Sequence, residues 1–322
     1  MFFLGKGNTA GKTNSAYIET FMNTSTVSSK STSTSRNLLP VVQRHPLVFF
    51  FILAYAISWI VFIPYVLAEW GILQGDYTLF YVVHTFGPTL AAIVMTAIIS
   101  GKAGLNELRQ RVRQWRAPWQ WYLFILVGIP ALILLGILVQ PGALAGFHDL
   151  TLLLLVSYPF YYVATFFGGG PLGEEVGWRG FALPRMQVRY GPLWGTLLLG
   201  ILWSCWHLAD FLTVSKGGGQ ASGFNTFLTN FPVFTLAVVS LAIVMTWIYN
   251  HTGGSIFIAI LAHTSVNILE VLLIPRYLTL DEVTLHRVLL TAFLVPALLI
   301  IALTRGRLGC QPGQEQPETS GS

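Results

Sequence analysis

The stretch GGGPLGEEVGWRG, residues 168–180, places two adjacent carboxylates and an arginine between long apolar runs. Three consecutive glycines weaken a helix and Pro171 removes a backbone donor, so the stretch predicts a break in a membrane-spanning helix. Irregular backbone at membrane depth persists only where it is buried in protein or lines a wet cavity. Because a carboxylate at that depth is costly unless it is paired or protonated, Glu174 and Glu175 are candidate functional residues.

The rest of the chain is dominated by apolar runs of membrane-spanning length. Of its 322 residues, 54% are hydrophobic and 10% are charged, whereas soluble domains contain about 25% charged residues. About 20 apolar residues cross a bilayer as a helix. We therefore expect an all-α polytopic membrane protein with about eight transmembrane helices, of which the fourth is broken and followed by a shorter helix, 173–188. The predicted spans are 47–69, 79–100, 119–139, 151–168, 192–213, 231–250, 255–275 and 286–304.

These spans divide the chain into a transmembrane domain and two tails. The predicted transmembrane domain covers residues 45–306. Residues 1–44 include a stretch rich in Ser and Thr and lack the apolar region of a cleavable signal peptide, so a disordered cytoplasmic tail is predicted. Residues 307–322 are polar and also predict disorder.

Lys and Arg are distributed unevenly about the predicted spans. With the N-terminus in the cytoplasm, 15 of the 18 lie on the cytoplasmic side, and Lys216, Arg276 and Arg287 lie on the other. This bias predicts an integral membrane protein with a cytoplasmic N-terminus, and we expect a prokaryotic plasma membrane. The basic run 109–116 is interpreted as a membrane-flanking loop, so no nucleic-acid partner is expected.

Helical spacing predicts different roles for the two glutamates. Glu175 and Arg179 are four residues apart, so they can pair on one face and support the helix. Glu174 is rotated by about 100° from Glu175 and can point into a cavity instead. With the helix predicted to begin near Gly173, both carboxylates lie in its first turn, where the helix dipole favours negative charge.

Two of the seven histidines lie deep in predicted spans. His207 lies in the fifth span and His263 in the seventh, and Asn267 follows His263 by four residues on the same face. Together with Glu174 they predict a shared polar cavity. A depth estimate from the helical rise fits His263 less well than His207.

The other histidines are weaker candidates. His84, in the second span, is interpreted as a core histidine satisfied by a backbone carbonyl. The remaining four lie near span ends or in loops and are interpreted as interfacial residues: His45, His148, His251 and His286.

A glutamate, two histidines and an asparagine around one cavity are suited to amide hydrolysis. The carboxylate and one histidine can orient and deprotonate a water molecule. The second histidine and the asparagine amide can donate hydrogen bonds to the developing oxyanion. The chain has no G-x-S-x-G nucleophile motif and no H-E-x-x-H zinc helix. A glutamate and two histidines could also hold zinc, so metal-bound and metal-free activation both remain open.

Three motifs in this region resemble those of the CPBP intramembrane protease family, which includes type 2 CaaX prenyl proteases and Abi-type bacteriocin-processing proteins. In chain order they are EEVGWR at 174–179, WSCWH at 203–207 and HTSVN at 263–267, each in a predicted span. The resemblance covers about residues 150–275. Trp203 stands where phenylalanine is commoner, which leaves the role of the histidine intact but can alter the shape of the pocket.

The resemblance implies a glutamate-type intramembrane endopeptidase in which Glu174 and His207 activate water. His263 and Asn267 would form the oxyanion site. It implies no cofactor, with zinc possible but not favoured. The expected partners are the lipid bilayer and a membrane-embedded or lipid-associated peptide or protein substrate, and prenylation of that substrate is not assumed.

Two other functions fit parts of the pattern. A broken helix with carboxylates near the midplane also suits a proton- or ion-coupled transporter, although the chain shows no inverted repeat. Some members of the resembled family act as scaffolds or in self-immunity, so a non-catalytic membrane scaffold or immunity protein is the third hypothesis.

Overall fold

The break predicted at residues 168–173 shapes the fold around the candidate site. The computed structural model describes residues 40–168, 170–213 and 223–310. Within them, the helix Leu152–Phe167 is followed by a second helical segment from Gly170, and the two are bent by 43°. Gly170 has a φ of 28°, a backbone conformation that glycine adopts without a side-chain clash. The broken fourth span is therefore confirmed.

The helices of the described residues are numbered here in chain order. They are α1 (Pro46–Glu69), α2 (Thr78–His84), α3 (Gly87–Val112), α4 (Trp119–Leu123), α5 (Ile129–Val139), α6 (Leu152–Phe167), α7 (Gly170–Gly177), α8 (Leu183–Tyr190), α9 (Pro192–Trp206), α10 (Gly223–His251), α11 (Ile256–Ile268), α12 (Ile274–Tyr277) and α13 (Glu282–Thr304). Single π-helical turns join α4 to α5, α7 to α8 and α11 to α12, and a 3-10 turn follows α9. These turns are Phe124–Gly128, Trp178–Ala182, Leu269–Leu273 and His207–Leu212, respectively.

Length and composition identify the membrane-spanning segments. Seven helical segments in the described part of the chain are long and apolar enough to cross a membrane, and the bent α6–α8 segment makes up to eight. The described residues contain no β-strand, and an isolated bridge pairs Phe147 with Leu278. The prediction of an all-α integral membrane protein is confirmed. Residues 1–39 and 311–322 lie outside the described ranges, so the disorder predicted there stays a prediction.

The second span differs from the prediction. Instead of one helix over 79–100, the chain forms α2 and α3, and α3 continues to Val112. A φ of 58° at Gly101 marks the kink inside α3. The residues after the kink include Leu, Glu, Arg and Gln, which are good helix formers, so the helix continues beyond the apolar segment. The basic run 109–116, predicted as a loop, is therefore helical as far as Val112.

The fifth span changes geometry at its end. The α-helical part, α9, ends at Trp206, and residues His207–Leu212 form a tighter 3-10 turn. His207, predicted within the fifth span, lies inside the span Pro192–Leu212 and begins this turn. Two indole groups on or next to α1 bind carbonyls here: Trp59 Nε1 donates to Trp206 O over 2.9 Å and Trp70 Nε1 to Leu212 O over 2.8 Å. They satisfy acceptors that a helix end leaves open.

The motif helix α7 packs closely against α2 and α3 through its glycines. A Cβ on Gly173 would lie 2.7 Å from the Thr85 carbonyl oxygen, and one on Gly177 would lie 2.6 Å from that of Pro88. A Gly-x-x-x-Gly face of this kind lets two backbones approach in a membrane protein. Because α7 begins at Gly170 rather than near Gly173, its two glutamates lie beyond the first turn. The helix dipole therefore favours them less than predicted.

Aromatic side chains anchor the π-helical turn after α7 to α1. The rings of Phe50 and Phe181 stack with their centroids 4.9 Å apart, and those of Phe51 and Trp178 stack at 5.9 Å. Phe50, Trp178 and Phe181 are fully buried. This cluster fixes the end of α7 and so positions the carboxylates that precede it.

Candidate active site

The motif helix borders a cavity of about 340 Å³. Glu174 from α7, His207 from the 3-10 turn, and His263 and Asn267 from α11 all line it. The structure therefore brings together the four residues that the sequence predicts as the catalytic group. Their catalytic roles stay predictions.

Two indole groups hold the carboxylate of Glu174. Trp203 Nε1 donates a hydrogen bond to Oε2 over 2.7 Å, and Trp178 Nε1 donates to the same oxygen over 3.3 Å. Hydrogen bonds to an ionised acceptor are among the stronger ones in proteins, so these two bonds fix the position of Oε2. With both donors on Oε2, the second oxygen is the one available to a bound molecule. A phenylalanine at 203, the commoner residue of the resembled motif, could not make this bond.

The other carboxylate oxygen of Glu174, Oε1, faces a space beside the backbone of Gly170. A Cβ on Gly170 would lie 3.9 Å from Glu174 Oε1 and 3.1 Å from Asn267 Nδ2. The absence of a side chain at this position therefore leaves room between a carboxylate oxygen and an amide donor. This is the arrangement that a reacting carbonyl and its attacking water require.

Glu175 pairs with Arg179 as the i,i+4 spacing predicts. Arg179 Nη1 donates to Glu175 Oε1 over 2.9 Å, and both side chains are fully buried. His263 Nδ1 lies 2.8 Å from the same oxygen. The Arg179 guanidinium also lies over the ring of Trp203, 4.5 Å from its centroid. Glu175 thus connects the motif helix to α11, beyond the helix support that was predicted for it.

The contact of His263 with Glu175 corrects the depth estimate. That estimate measured depth along straight α-helices and placed His263 poorly relative to Glu174. The segment that carries Glu174 is bent after α6 and contains a π-helical turn, so the rise of a straight helix does not measure its depth. In the structure His263 also lies against Trp203, with ring centroids 5.3 Å apart.

A further acidic residue, Asp210, was missed in the sequence. Its Oδ2 lies 2.7 Å from His207 Nδ1, and its Oδ1 lies 3.6 Å from His84 Nε2. His84 Nδ1 binds the Tyr81 carbonyl oxygen, as predicted for a core histidine, but His84 also lines the cavity. An acidic residue inside a predicted span was the available signal, because such residues are functional by default.

The remaining histidines divide into two groups. His45, His148 and His251 are exposed, as interfacial positions predict. His286 is different, because it is 3% exposed and packs against Phe211 and Phe234 with ring centroids 6.0 and 5.0 Å away. Its interpretation as interfacial is wrong, because the aromatic side chains of the preceding segments cover this part of α13.

The side chains that commonly bind metal ions in proteins are those of His, Cys, Asp and Glu. Across residues 40–168, 170–213 and 223–310, no three His, Cys, Asp or Glu side chains are grouped so that they could hold one ion. His207 and His263 each direct Nδ1 to a carboxylate, as metal-binding histidines commonly do. Glu174, His207 and His263 do not form such a group among these residues, and the metal-free mechanism stays a prediction.

Comparisons with known proteins cover this same part of the chain. Residues 155–269 match the family model of Rce1-like type II CAAX prenyl endopeptidases. The chain is also 27% identical over 216 residues to CAAX prenyl protease 2 of Methanococcus maripaludis, an alignment that covers 62% of this chain and 76% of the relative. All three motifs lie inside residues 155–269. The matches bear out the resemblance predicted from those motifs: residues 155–269 are similar to Rce1-like type II CAAX prenyl endopeptidases.

Proposed function

We propose that this protein is an intramembrane glutamic endopeptidase that hydrolyses a peptide bond of a membrane-associated substrate. The observation that carries the proposal is a buried carboxylate, Glu174, on a cavity that it shares with His207, His263 and Asn267. The family match supports proteolysis in general. The assignment of residues and mechanism rests on the geometry.

Water activation is assigned to Glu174 and His207. The indole bonds to Oε2 of Glu174 leave Oε1 to accept a proton from a water molecule in the cavity. An ionised carboxylate only accepts hydrogen bonds, so Asp210 requires His207 to donate from Nδ1. The neutral ring then has an unprotonated Nε2, which can accept the second proton of that water. The C–N bond breaks as the proton taken by Glu174 passes to the nitrogen of the leaving amine. The proposal contains no metal step and no cofactor.

The oxyanion is assigned to Asn267 and His263. The Asn267 amide beside Gly170 is a neutral donor that needs no change of protonation. His263 donates Nδ1–H to Glu175, so it can donate from Nε2 only when both ring nitrogens are protonated. In this mechanism His263 is therefore an imidazolium, and Glu175 stabilises its charge.

The substrate is proposed to be a lipid-associated peptide. The relative from Methanococcus maripaludis is named a prenyl protease, and the cavity wall of the present chain is partly apolar. Phe234, Val238, Leu241 and Leu289 line it. Such a wall can hold a hydrocarbon chain beside the polar group that contains Glu174. We also propose a prokaryotic plasma membrane with the N-terminus in the cytoplasm, from the positive-inside bias.

The proposal is tested by Glu174→Gln in the full chain reconstituted in liposomes. The probes are an internally quenched peptide with a farnesylated C-terminal cysteine and the same peptide with a free cysteine. Loss of the proton acceptor lowers kcat by about 10²–10⁴-fold. Glu107→Gln, at an exposed position on α3, is the matched control and keeps wild-type activity.

Full cleavage by Glu174→Gln would overturn the proposal. A wild-type protein that cleaves neither peptide but conducts ions, with the flux lost in Glu174→Gln, would favour the transporter hypothesis. A cellular phenotype restored equally by wild type and Glu174→Gln would favour the non-catalytic scaffold or immunity protein.

A further inference from the structure

We propose that Asp210 is a positioning residue that holds His207 in the tautomer protonated at Nδ1, with the unprotonated Nε2 directed to the cavity. This inference rests on the proposed function, in which His207 accepts a proton. It adds to the site a carboxylate that lies outside all three sequence motifs.

The local backbone creates the contact between the two residues. In an α-helix, residues three apart are offset by about 60° around the axis, because each residue turns the chain by about 100°. In a 3-10 helix, residues three apart eclipse. The change from α-helix to 3-10 turn at His207 therefore stacks Asp210 directly on its histidine, with Oδ2 2.7 Å from Nδ1.

The Asp210 carboxylate is buried behind the imidazole ring of His207. The side chain of Asp210 is 6% exposed and that of His207 is 18% exposed. Trp206 and Phe234 meet the histidine ring at near right angles, with centroids 4.7 and 5.3 Å away. These contacts restrict rotation of the ring, so the nitrogen opposite the carboxylate stays on the cavity side.

The position of Asp210 is itself fixed by its surroundings. His84 Nε2 lies 3.6 Å from Oδ1, the oxygen that does not contact His207, and because His84 donates Nδ1–H to the Tyr81 carbonyl, it attracts this carboxylate when both ring nitrogens are protonated. The Asp210 carbonyl accepts hydrogen bonds from the backbone N–H of Thr213 over 3.0 Å and from its hydroxyl over 2.6 Å. Trp59 and Trp70 bind the two ends of the turn. The carboxylate is therefore in place before a substrate arrives.

The tautomer can be measured without relying on catalysis. The full chain, labelled with ¹⁵N-histidine in lipid nanodiscs, is examined by NMR at a pH high enough for His207 to be neutral. His207→Gln identifies the signal. The expected result is a proton on Nδ1 in the wild type and a larger Nε2-protonated population in Asp210→Asn. Asp76→Asn, in an exposed loop, is the control and leaves the signal unchanged. A wild-type His207 protonated at Nε2 would overturn the inference.

Kinetics separate positioning from a purely structural role. With the peptide that wild type cleaves, Asp210→Asn is expected to lower kcat by about 10- to 100-fold, the usual cost of losing such an orienting partner, with little change in KM. In a His207→Gln background the same substitution has no further effect. An equal loss in both backgrounds would show a structural role and overturn the inference. If Glu174→Gln proved fully active, the proposed function would fail while the NMR result still decided the tautomer.

Discussion

Two carboxylate–histidine pairs flank Glu174, and they are built differently. In the first pair, Glu175 contacts both His263 and Arg179. The side chains of Glu175 and Arg179 are fully buried. The pair of Asp210 and His207 lies on a 3-10 turn and has a partly exposed histidine. Arginine is always charged in proteins, whereas histidine titrates near neutral pH. The first pair is therefore a permanently charged support, and the second is suited to exchanging a proton.

The largest expected effect comes from breaking the first pair. Arg179→Leu leaves Glu175 buried without its guanidinium partner, and removing one member of a buried ion pair costs about 3–5 kcal/mol. We expect a large fall in the thermal stability of the purified protein together with loss of cleavage. Arg109→Leu, at an exposed position on α3, is the control and changes stability by less than about 0.5 kcal/mol.

The pair of Asp210 and His207 should lose less stability when its neighbour His84 is replaced. His84 is uncharged when it is not protonated, so His84→Gln, unlike Arg179→Leu, removes no permanent counter-charge from a buried carboxylate. Its effect on thermal stability should be clearly smaller than that of Arg179→Leu. Equal losses from the two substitutions would remove the distinction between a charged support and a proton-exchanging pair.

Trp203 lies between the two pairs and offers an intermediate test. Trp203→Phe keeps an aromatic ring beside His263 but removes the 2.7 Å hydrogen bond to Glu174. Hydrogen bonds to charged groups contribute about 1.5–3 kcal/mol, so a fall in kcat of roughly 10- to 100-fold is expected. Trp178→Phe removes the longer, 3.3 Å bond to the same oxygen and should cost less. If the two variants had the same kcat as wild type, the indoles would not position Glu174.

The smallest effect is expected at Gly170. An added Cβ would press on the Asn267 amide at 3.1 Å, so Gly170→Ala slightly moves the group that we propose as an oxyanion donor. We expect kcat/KM to fall by less than ~10²-fold, which is the loss that follows a 1 Å displacement of a positioned group. Gly142→Ala controls for backbone strain, because Gly142 also has a positive φ, of 77°, but nothing lies within 4 Å of its Cβ position. Similar losses in both variants would assign the effect to strain.

Sequence reasoning succeeded where a contact depends on local spacing. The Glu175–Arg179 pair follows from an i,i+4 separation, and the bend after α6 follows from a run of glycines and a proline. The convergence of Glu174, His207, His263 and Asn267 was predicted from the order of three motifs. That prediction rests on the cost of isolated polar groups in a membrane and on the family resemblance, and not on knowledge of how the three helices pack.

Sequence reasoning failed where a contact depends on a local change of helix type or on packing between helices. Asp210 was overlooked because a regular α-helix was assumed through His207, where a 3-10 turn forms. The contact of His84 with Asp210 requires α2 to lie beside the end of α9, and no spacing in the sequence shows this. The bond from Trp203 to Glu174 likewise depends on how α7 and α9 pack.

The π-helical turn Trp178–Ala182 has a consequence for comparing related chains. A π-helical turn contains one residue more than an α-helical turn, and one residue corresponds to about 100° of rotation. The face of α8 is therefore out of phase with that of α7, so a helical wheel drawn through both would assign residues from Leu183 onward to the wrong side. A relative lacking one residue here could retain all three motifs and still direct Arg185, which binds the Phe181 carbonyl in this chain, toward different neighbours.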